Sequence, residues 1–260
     1  MYSTKRMSQE VNDTQGFFHM MKDVGIGYDT EICQYLNVEY LIGILKNNSY
    51  YVKRKESFKD KREKEFPLFM QFPLSPSDEE DKRLLVQSEQ QKEEWYRDNK
   101  EYEELSHLLT ACWTVRTNEN ILMWDRGNPC KACIQSTIGD FVSSFDSNMA
   151  FTIWCGRILY SLFSMATQPS QKLWIKEPFF SDEDEVRFYF SANFDKIEPD
   201  VPSNNDLDGI SLKVNPIKMI HHITLSPYIN YECAKILKAY FSKECQISTS
   251  FSRIDLQHNK

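Results

Sequence analysis

From Leu108 onward the chain is written as short strand-like runs separated by single helical stretches. That rhythm restricts the fold more than any other feature. LLTACWTV (108–115), CKACIQST (130–137), the runs 151–160 and 186–191, and MIHHITLS (219–226) are rich in apolar, β-branched and aromatic residues, which suit a pleated, half-buried surface. Ile138, Phe141, Val142 and Phe145 recur at i, i+3, i+4 and i+7, which predicts a helix between two of these runs. Ser226-Pro227 reads as an N-cap followed by Pro in the first turn. It would open a helix carrying Tyr231, Ala234, Ile236, Leu237 and Tyr240. QISTSFSRI (246–254) is a polar alternating strand. Strands separated by single helices predict an α+β domain.

Upstream, 32–35 reads as a strand and 38–46 as a helix with Leu41, Ile44 and Leu45 on one face. Asn47-Asn48 suits a helix exit, and 49–52 is a second strand. Residues 1–30 form a polar lead, and 31–260 are read as one domain. The stretch 53–65 is densely charged with both signs. It reads as a solvated loop, or more sharply as a basic rim at Lys53, Arg54 and Lys55. Ser77 and Glu80 have capping-box spacing, and Asp78 and Glu79 suit the positive end of a helix dipole. A long charged helix over 77–104 is therefore expected, lying on the body as an insertion. The run 199–209 is a Pro/Asn/Asp loop.

Composition removes several function classes. The 38 acids outnumber the 31 bases among 260 residues, so any nucleic-acid contact must be local. The seven cysteines show no framework spacing, which points to reduced thiols in a cytoplasm. MYSTKRMSQEVNDTQ has no apolar signal core, so secretion is not expected. The run 149–165 is interrupted by Arg157 and is too short to span a bilayer. Cys130 and Cys133 form a CxxC without a second pair, and His221-His222 in a strand would face opposite ways, so no metal site is expected. No P-loop, GxGxxG or GxSxG occurs.

FFSDEDEVRFYF (179–190) places carboxylates at the start of an otherwise buried strand. On a strand, Glu183, Glu185 and Arg187 share one face. Two such carboxylates repel unless a cation joins them, and one is then expected to have a raised pKa. The plainer reading is a solvated strand entry with a structural Arg–Glu pair. In CWTVRTNENILMW, Trp113, Met123 and Trp124 suit a core. Ser136-Thr137 before a helix suits an N-cap.

Taken in order, CWTVRTNENILMW (112–124), ACIQSTIGDF (132–141), GRILY (156–160), IKEPFFSDEDEVRF (175–188) and ITLSPYINYECAKIL (223–237) resemble a bacterial family of domains of unknown function. Its members carry Cys-Trp, Met-Trp, Ile-Gln-Ser-Thr, Lys…Phe…Glu-x-Glu-x-Arg and Ile-x-x-Ser-Pro in that order. YLIGILKNNSYYVKRKESFKD (40–60) resembles the family's opening unit, and the likeness spans about residues 32 to 245. The same skeleton resembles the ADP-ribosyltransferase fold, a mixed β-sheet split around a cleft that holds NAD. One class of those enzymes uses an Arg on the first strand, a Ser-Thr-Ser on a middle strand and a Glu-x-Glu on a late strand. Here Ser136-Thr137 and Glu183-x-Glu185 stand in that order. Ser248–Ser250 is a literal Ser-Thr-Ser, but it follows the Glu-x-Glu and is set aside. The first-strand Arg is absent, since that position reads Cys33-Gln34-Tyr35.

The resemblance implies an NAD-dependent ADP-ribosyltransferase, with NAD as substrate and no metal. Glu185 would stabilise the oxocarbenium-like ribose and hold its 2′-OH. Glu183 would position or deprotonate the nucleophile. Ser136, with Thr137, would brace the NAD-binding strand and hydrogen-bond Glu185. Arg187 would hold the acids in place, Tyr51 would stack on nicotinamide, and Tyr35, Arg54 or Arg116 would replace the missing Arg. Such enzymes are often toxins of toxin–antitoxin or phage-defence loci, so a neutralising antitoxin or chaperone is an expected partner. The rim at Lys53–Lys55, beside Tyr50 and Tyr51, favours single-stranded RNA over protein as the acceptor. An NAD glycohydrolase using the same residues, and a catalytically degenerate partner-binding domain, are the alternatives.

Overall fold

The computed structural model describes residues 11–12, 18–20, 25–54, 108–125, 128–146, 151–161, 173–192 and 209–254. In chain order the strands and helices begin with β1 (Val11–Asn12), β2 (Phe18–Met20), β3 (Glu31–Asn37), α1 (Val38–Asn47) and β4 (Ser49–Arg54). They continue through β5 (Leu109–Thr114), α2 (Ile121–Asp125), β6 (Lys131–Thr137), α3 (Ile138–Ser143) and β7 (Phe151–Arg157). Then come β8 (Leu159–Tyr160), β9 (Ile175–Lys176), a 3-10 turn (Pro178–Glu183), β10 (Glu185–Ala192) and β11 (Gly209–Lys213). The described chain closes with α4 (Pro216–Met219), β12 (His222–Leu225), α5 (Tyr231–Ala239), a π turn (Tyr240–Glu244) and β13 (Ser248–Phe251). This is a mixed α/β chain around a mostly antiparallel sheet, the coarse class that the strand rhythm predicts. The charged helix expected over 77–104, with Lys55, lies outside the described residues.

The main sheet runs β1-β2-β7-β10-β5-β3-β6-β12-β13, with β4 and β11 off that path. Among the described strands, β2 with β7 and β12 with β13 are its parallel pairs. The sheet forks at β5. One end of β5 meets β3, with Cys33 opposite Thr114. The other end meets β4, with Lys53 opposite Thr110 and Arg54 opposite Leu109. On its far side β5 pairs with β10 along its whole length. Two short strands, β1 and β2, fall inside the stretch expected to be a loose polar lead. They continue the sheet beyond β7.

Alternation along the strands separates two faces. Ile32, Ala111, Trp113, Ile134, Val186 and Phe188 point into the main core, where the apolar stripes of α1 (Leu41, Ile44) and α3 (Ile138, Phe141, Val142) cover them. The Phe141 ring lies 4.6 Å from Phe188 and 4.9 Å from Trp113. The two helices start and stop for local reasons. Thr137 caps α3, its hydroxyl accepting from the Asp140 N–H. Asn48 ends α1 in the left-handed conformation, φ 50°, which Asn tolerates better than most residues.

Two boundaries differ from expectation. Pro216, capped by the Asn215 side chain, opens α4, so β12 begins at His222 instead of 219. Ser226-Pro227 does not cap a helix. The Ser226 hydroxyl accepts from the Tyr228 N–H and its carbonyl from Ile229, which closes a tight turn. Asn230 then caps α5 by accepting from the Glu232 N–H.

At Gly209 β11 lies close against β4. A β-carbon there would sit 2.2 Å from the Val52 carbonyl oxygen and 2.7 Å from atoms of the Tyr51 ring. Gly209→Ala is therefore expected to lift β11 and lower stability by about 1–3 kcal/mol, read from the midpoint of urea unfolding.

Candidate active site at the sheet fork

The acidic stretch is not one strand. Pro178 sits at the start of the 3-10 turn, which carries the chain to Glu183. Asp184 then takes the left-handed conformation, φ 43°, and its N–H donates to the Ser181 carbonyl at 3.2 Å. The turn reverses the backbone, so Glu185 begins β10 while Glu183 approaches from the turn. Glu185 and Arg187 share the strand face, as period two requires. Glu183 reaches the same place by another route.

A cation joins the acids. Lys176, at the end of β9, donates from Nζ to Glu183 Oε2 at 2.7 Å and to Glu185 Oε2 at 2.9 Å. Arg187 forks onto Glu185: Nε donates to Oε1, and Nη2 to Oε2 at 3.2 Å. Arg187 Nη1 donates to the Tyr189 hydroxyl at 3.4 Å, and that hydroxyl donates to the Leu173 carbonyl at 2.7 Å. Both partners of the fork are buried, with Glu185 3% exposed and Arg187 1%. The backbone pins the same point. The Glu185 N–H donates to the Tyr160 hydroxyl at 2.8 Å, and the Ile158 N–H donates to the Glu185 carbonyl at 2.8 Å.

Burial works to raise the Glu185 pKa, but the guanidinium of Arg187 and the ammonium of Lys176 outweigh it and hold the carboxyl at about 2. At Glu185 the cations thus outweigh the repulsion expected between the paired acids. The Cys112 thiol also hydrogen-bonds Glu185, and burial with that anion pushes the thiol well up. The linkage sign follows. A carboxyl depressed in the folded state stabilises it above the unfolded pKa, near 4.5. That contribution fades as pH falls from there through about 2. Acid titration of wild type is expected to lose about 3 kcal/mol over this window. In Glu185→Gln that share of the acid limb disappears, which urea melts at stepped pH would show.

Beside the cluster, at the fork, lies a cavity of about 220 Å³. Gln34 and Tyr35 of β3 form one side, Cys112 and Thr114 of β5 the middle, and Glu183 and Glu185 the other. Register sets this order, since Glu185 pairs with Thr114, Thr114 with Cys33, and Cys33 with Gln135. The Tyr35 hydroxyl accepts from the Asn120 N–H at 3.1 Å, and its ring packs edge-on against Trp124 at 4.6 Å. Burial pushes its pKa up, so the phenol is neutral.

The structure brings Glu185, Glu183, Tyr35 and Arg187 together. Arg187 does so as the buried counter-ion of Glu185. Ser136 stands on the opposite face of the sheet, with Ile134 and Ile32 in the core. Its hydroxyl donates to the Thr137 carbonyl at 3.2 Å, not to Glu185, so the expected Ser136–Glu185 bond is replaced by a local one. Thr137 serves as the cap of α3. The Tyr51 ring lies over Gly209. Arg54 pairs with Leu109 at the far end of β5, roughly 17 Å from Thr114 at the strand rise. Arg116 lines a different cavity, at the entry to β10.

Sequence reasoning gave no role to Lys176, Tyr160 or Cys112. Two signals pointed to Lys176: it is the Lys of the Lys…Phe…Glu-x-Glu-x-Arg run, and paired acids require a cation, which it supplies from seven residues before Glu183. Among the described residues no His, Cys, Asp and Glu side chains gather as a metal-ligand set, and no helix is long and apolar enough to cross a membrane. No protein-family model matches the chain, and neither a curated protein nor a solved structure matches it.

Proposed function

We propose that the chain is an NAD-dependent ADP-ribosyltransferase whose substrate enters the fork of an ADP-ribosyltransferase-like split sheet. The observation that carries this reading is Glu185, a carboxylate kept ionised while buried at the wall of a cavity. Cleavage of the nicotinamide–ribose bond builds positive charge on the sugar, and a fixed anion beside it lowers that barrier. In this reading the C–N bond breaks with its electron pair leaving on nicotinamide. The sugar carbon bonds the acceptor's nucleophile, and Glu183 takes the proton that the nucleophile loses. Lys176 and Arg187 keep the carboxylates charged and oriented. With water as acceptor the same residues make an NAD glycohydrolase. A chain that drains NAD or modifies RNA is harmful to its host, which supports a toxin role and a neutralising antitoxin or chaperone.

A specific observation favours a second reading. Both Glu185 oxygens are already engaged by cations, as in a structural ion pair of a partner-binding domain. Labelled NAD separates the two. Purified chain is incubated with lysate, total RNA and single-stranded DNA, with Glu185→Gln beside it. Label in one macromolecular fraction, absent with the variant, supports the transferase. NAD loss without labelled macromolecule supports the glycohydrolase. No label and no NAD loss from folded protein sinks both and leaves the binding domain.

A further inference from the structure

A second cavity, of about 520 Å³, lies at the entry to β10, between the ends of its neighbours β5 and β7. Arg116, just beyond β5, and Arg157, at the end of β7, face it together with Tyr160, Ser181 and Asp184. Arg157 directs Nε and Nη2 to Asp184 Oδ1. The exposed Arg116 guanidinium has no partner among the described residues. Leu159, 62% exposed, lines it, and Phe179, 87% exposed, precedes Ser181 by two residues on the 3-10 turn.

We infer that this cavity binds the phosphates of a single-stranded nucleic acid, the acceptor of the transfer proposed above, on which this inference rests. Three features point there. Guanidinium groups suit phosphate oxygens by charge and by geometry. Exposed aromatic and apolar side chains beside cations are how sequence-tolerant single-strand sites hold bases. The cavity also meets the candidate active site at one point. Asp184 adjoins Glu185, the Tyr160 hydroxyl accepts the Glu185 N–H, and Ile158 donates to the Glu185 carbonyl. The Glu185 side chain lines the fork cavity, and its backbone is hydrogen-bonded to Tyr160 and Ile158, which line the second one. Asp182, exposed on the 3-10 turn, and the half-buried Glu177 that precedes the turn are acids, which limits the attraction to a few phosphates.

The test is fluorescence anisotropy with a short fluorescein-labelled single-stranded RNA, titrated at several salt concentrations, with NAD added as competitor in a parallel arm. Two phosphate contacts give a slope of log affinity against log salt of about −1.4. Arg116→Gln is expected to weaken binding about tenfold and flatten the slope to about −0.7. Arg157→Gln should act in the same direction. Wild-type protein that does not bind the RNA, or variants that bind it as wild type does, would overturn the inference. Displacement of the RNA by NAD would also overturn it, because the cavity would then hold the dinucleotide's own phosphates. RNA binding without any NAD cleavage sinks the transferase reading. NAD cleavage without RNA binding sinks this inference alone.

Discussion

Glu185→Gln is expected to cleave NAD about 10²- to 10³-fold more slowly than wild type, the usual cost of removing one fixed electrostatic contact from a transition state. The glutamine keeps the size of the side chain and can still meet Lys176 and Arg187 with its oxygen. It removes the negative charge that, in the proposed reaction, the cationic sugar would need. Single-turnover cleavage of labelled NAD measures the effect, with circular dichroism showing that the chain is folded. Glu183→Gln is the comparison, since it leaves the Arg187 fork on Glu185 intact. Equal turnover by Glu185→Gln and wild type would end the catalytic reading of this carboxylate.

Arg187→Met is expected to cost about 3–5 kcal/mol of stability, because it strands a buried carboxylate. Two acids would then share Lys176 alone. The remedy follows from the same count of charges. In Glu185→Leu/Arg187→Met the pair Lys176–Glu183 remains, one cation facing one anion, and most of the lost stability should return. A double-mutant cycle in urea reads the coupling directly. If the double variant is no more stable than Arg187→Met, the fork is not what holds this end of β10. On the transferase reading NAD cleavage should be lost in the double variant even as stability returns, which separates the stabilising role of the fork from the catalytic role proposed for Glu185.

The elements whose signal is local were legible in the chain. The spacing of Leu41 and Ile44 in α1, and of Ile138, Phe141 and Val142 in α3, is written in the sequence and needs no partner to be read. Asn47-Asn48 marked the end of α1 for the same reason. The site was legible only as a set of acids. Glu183 leaves the strand because one backbone angle, at Asp184, changes hand, and residue type alone does not report that. Lys176 and Tyr160 arrive through β9 and β8, a small separate sheet, so their proximity depends on tertiary packing. Ser136 is instructive in the opposite sense. Period two places it on the face of Ile134, and the core burial of Ile134 carries Ser136 with it. The resemblance drew it toward Glu185, and the pleat took it away.

The single pairing of Cys33 with Thr114 has a mechanical consequence. On one side of that seam β5 and β10 are laced together, and on the other β3, β6 and β12 are. The seam itself is held by little backbone hydrogen bonding, while the aromatic core beneath glues the opposite face. Such a joint gapes like a clasp hinged on its packed side, because local opening is cheapest where fewest ladder bonds must break. Widening of the mouth between Tyr35 and Glu185 is therefore expected to cost least at this seam, where the Gln34 side chain, donating to the Cys112 carbonyl at 2.9 Å, is a cross-link to break. A guest larger than the resting space of about 220 Å³ can enter by prising the seam apart without unravelling either ladder.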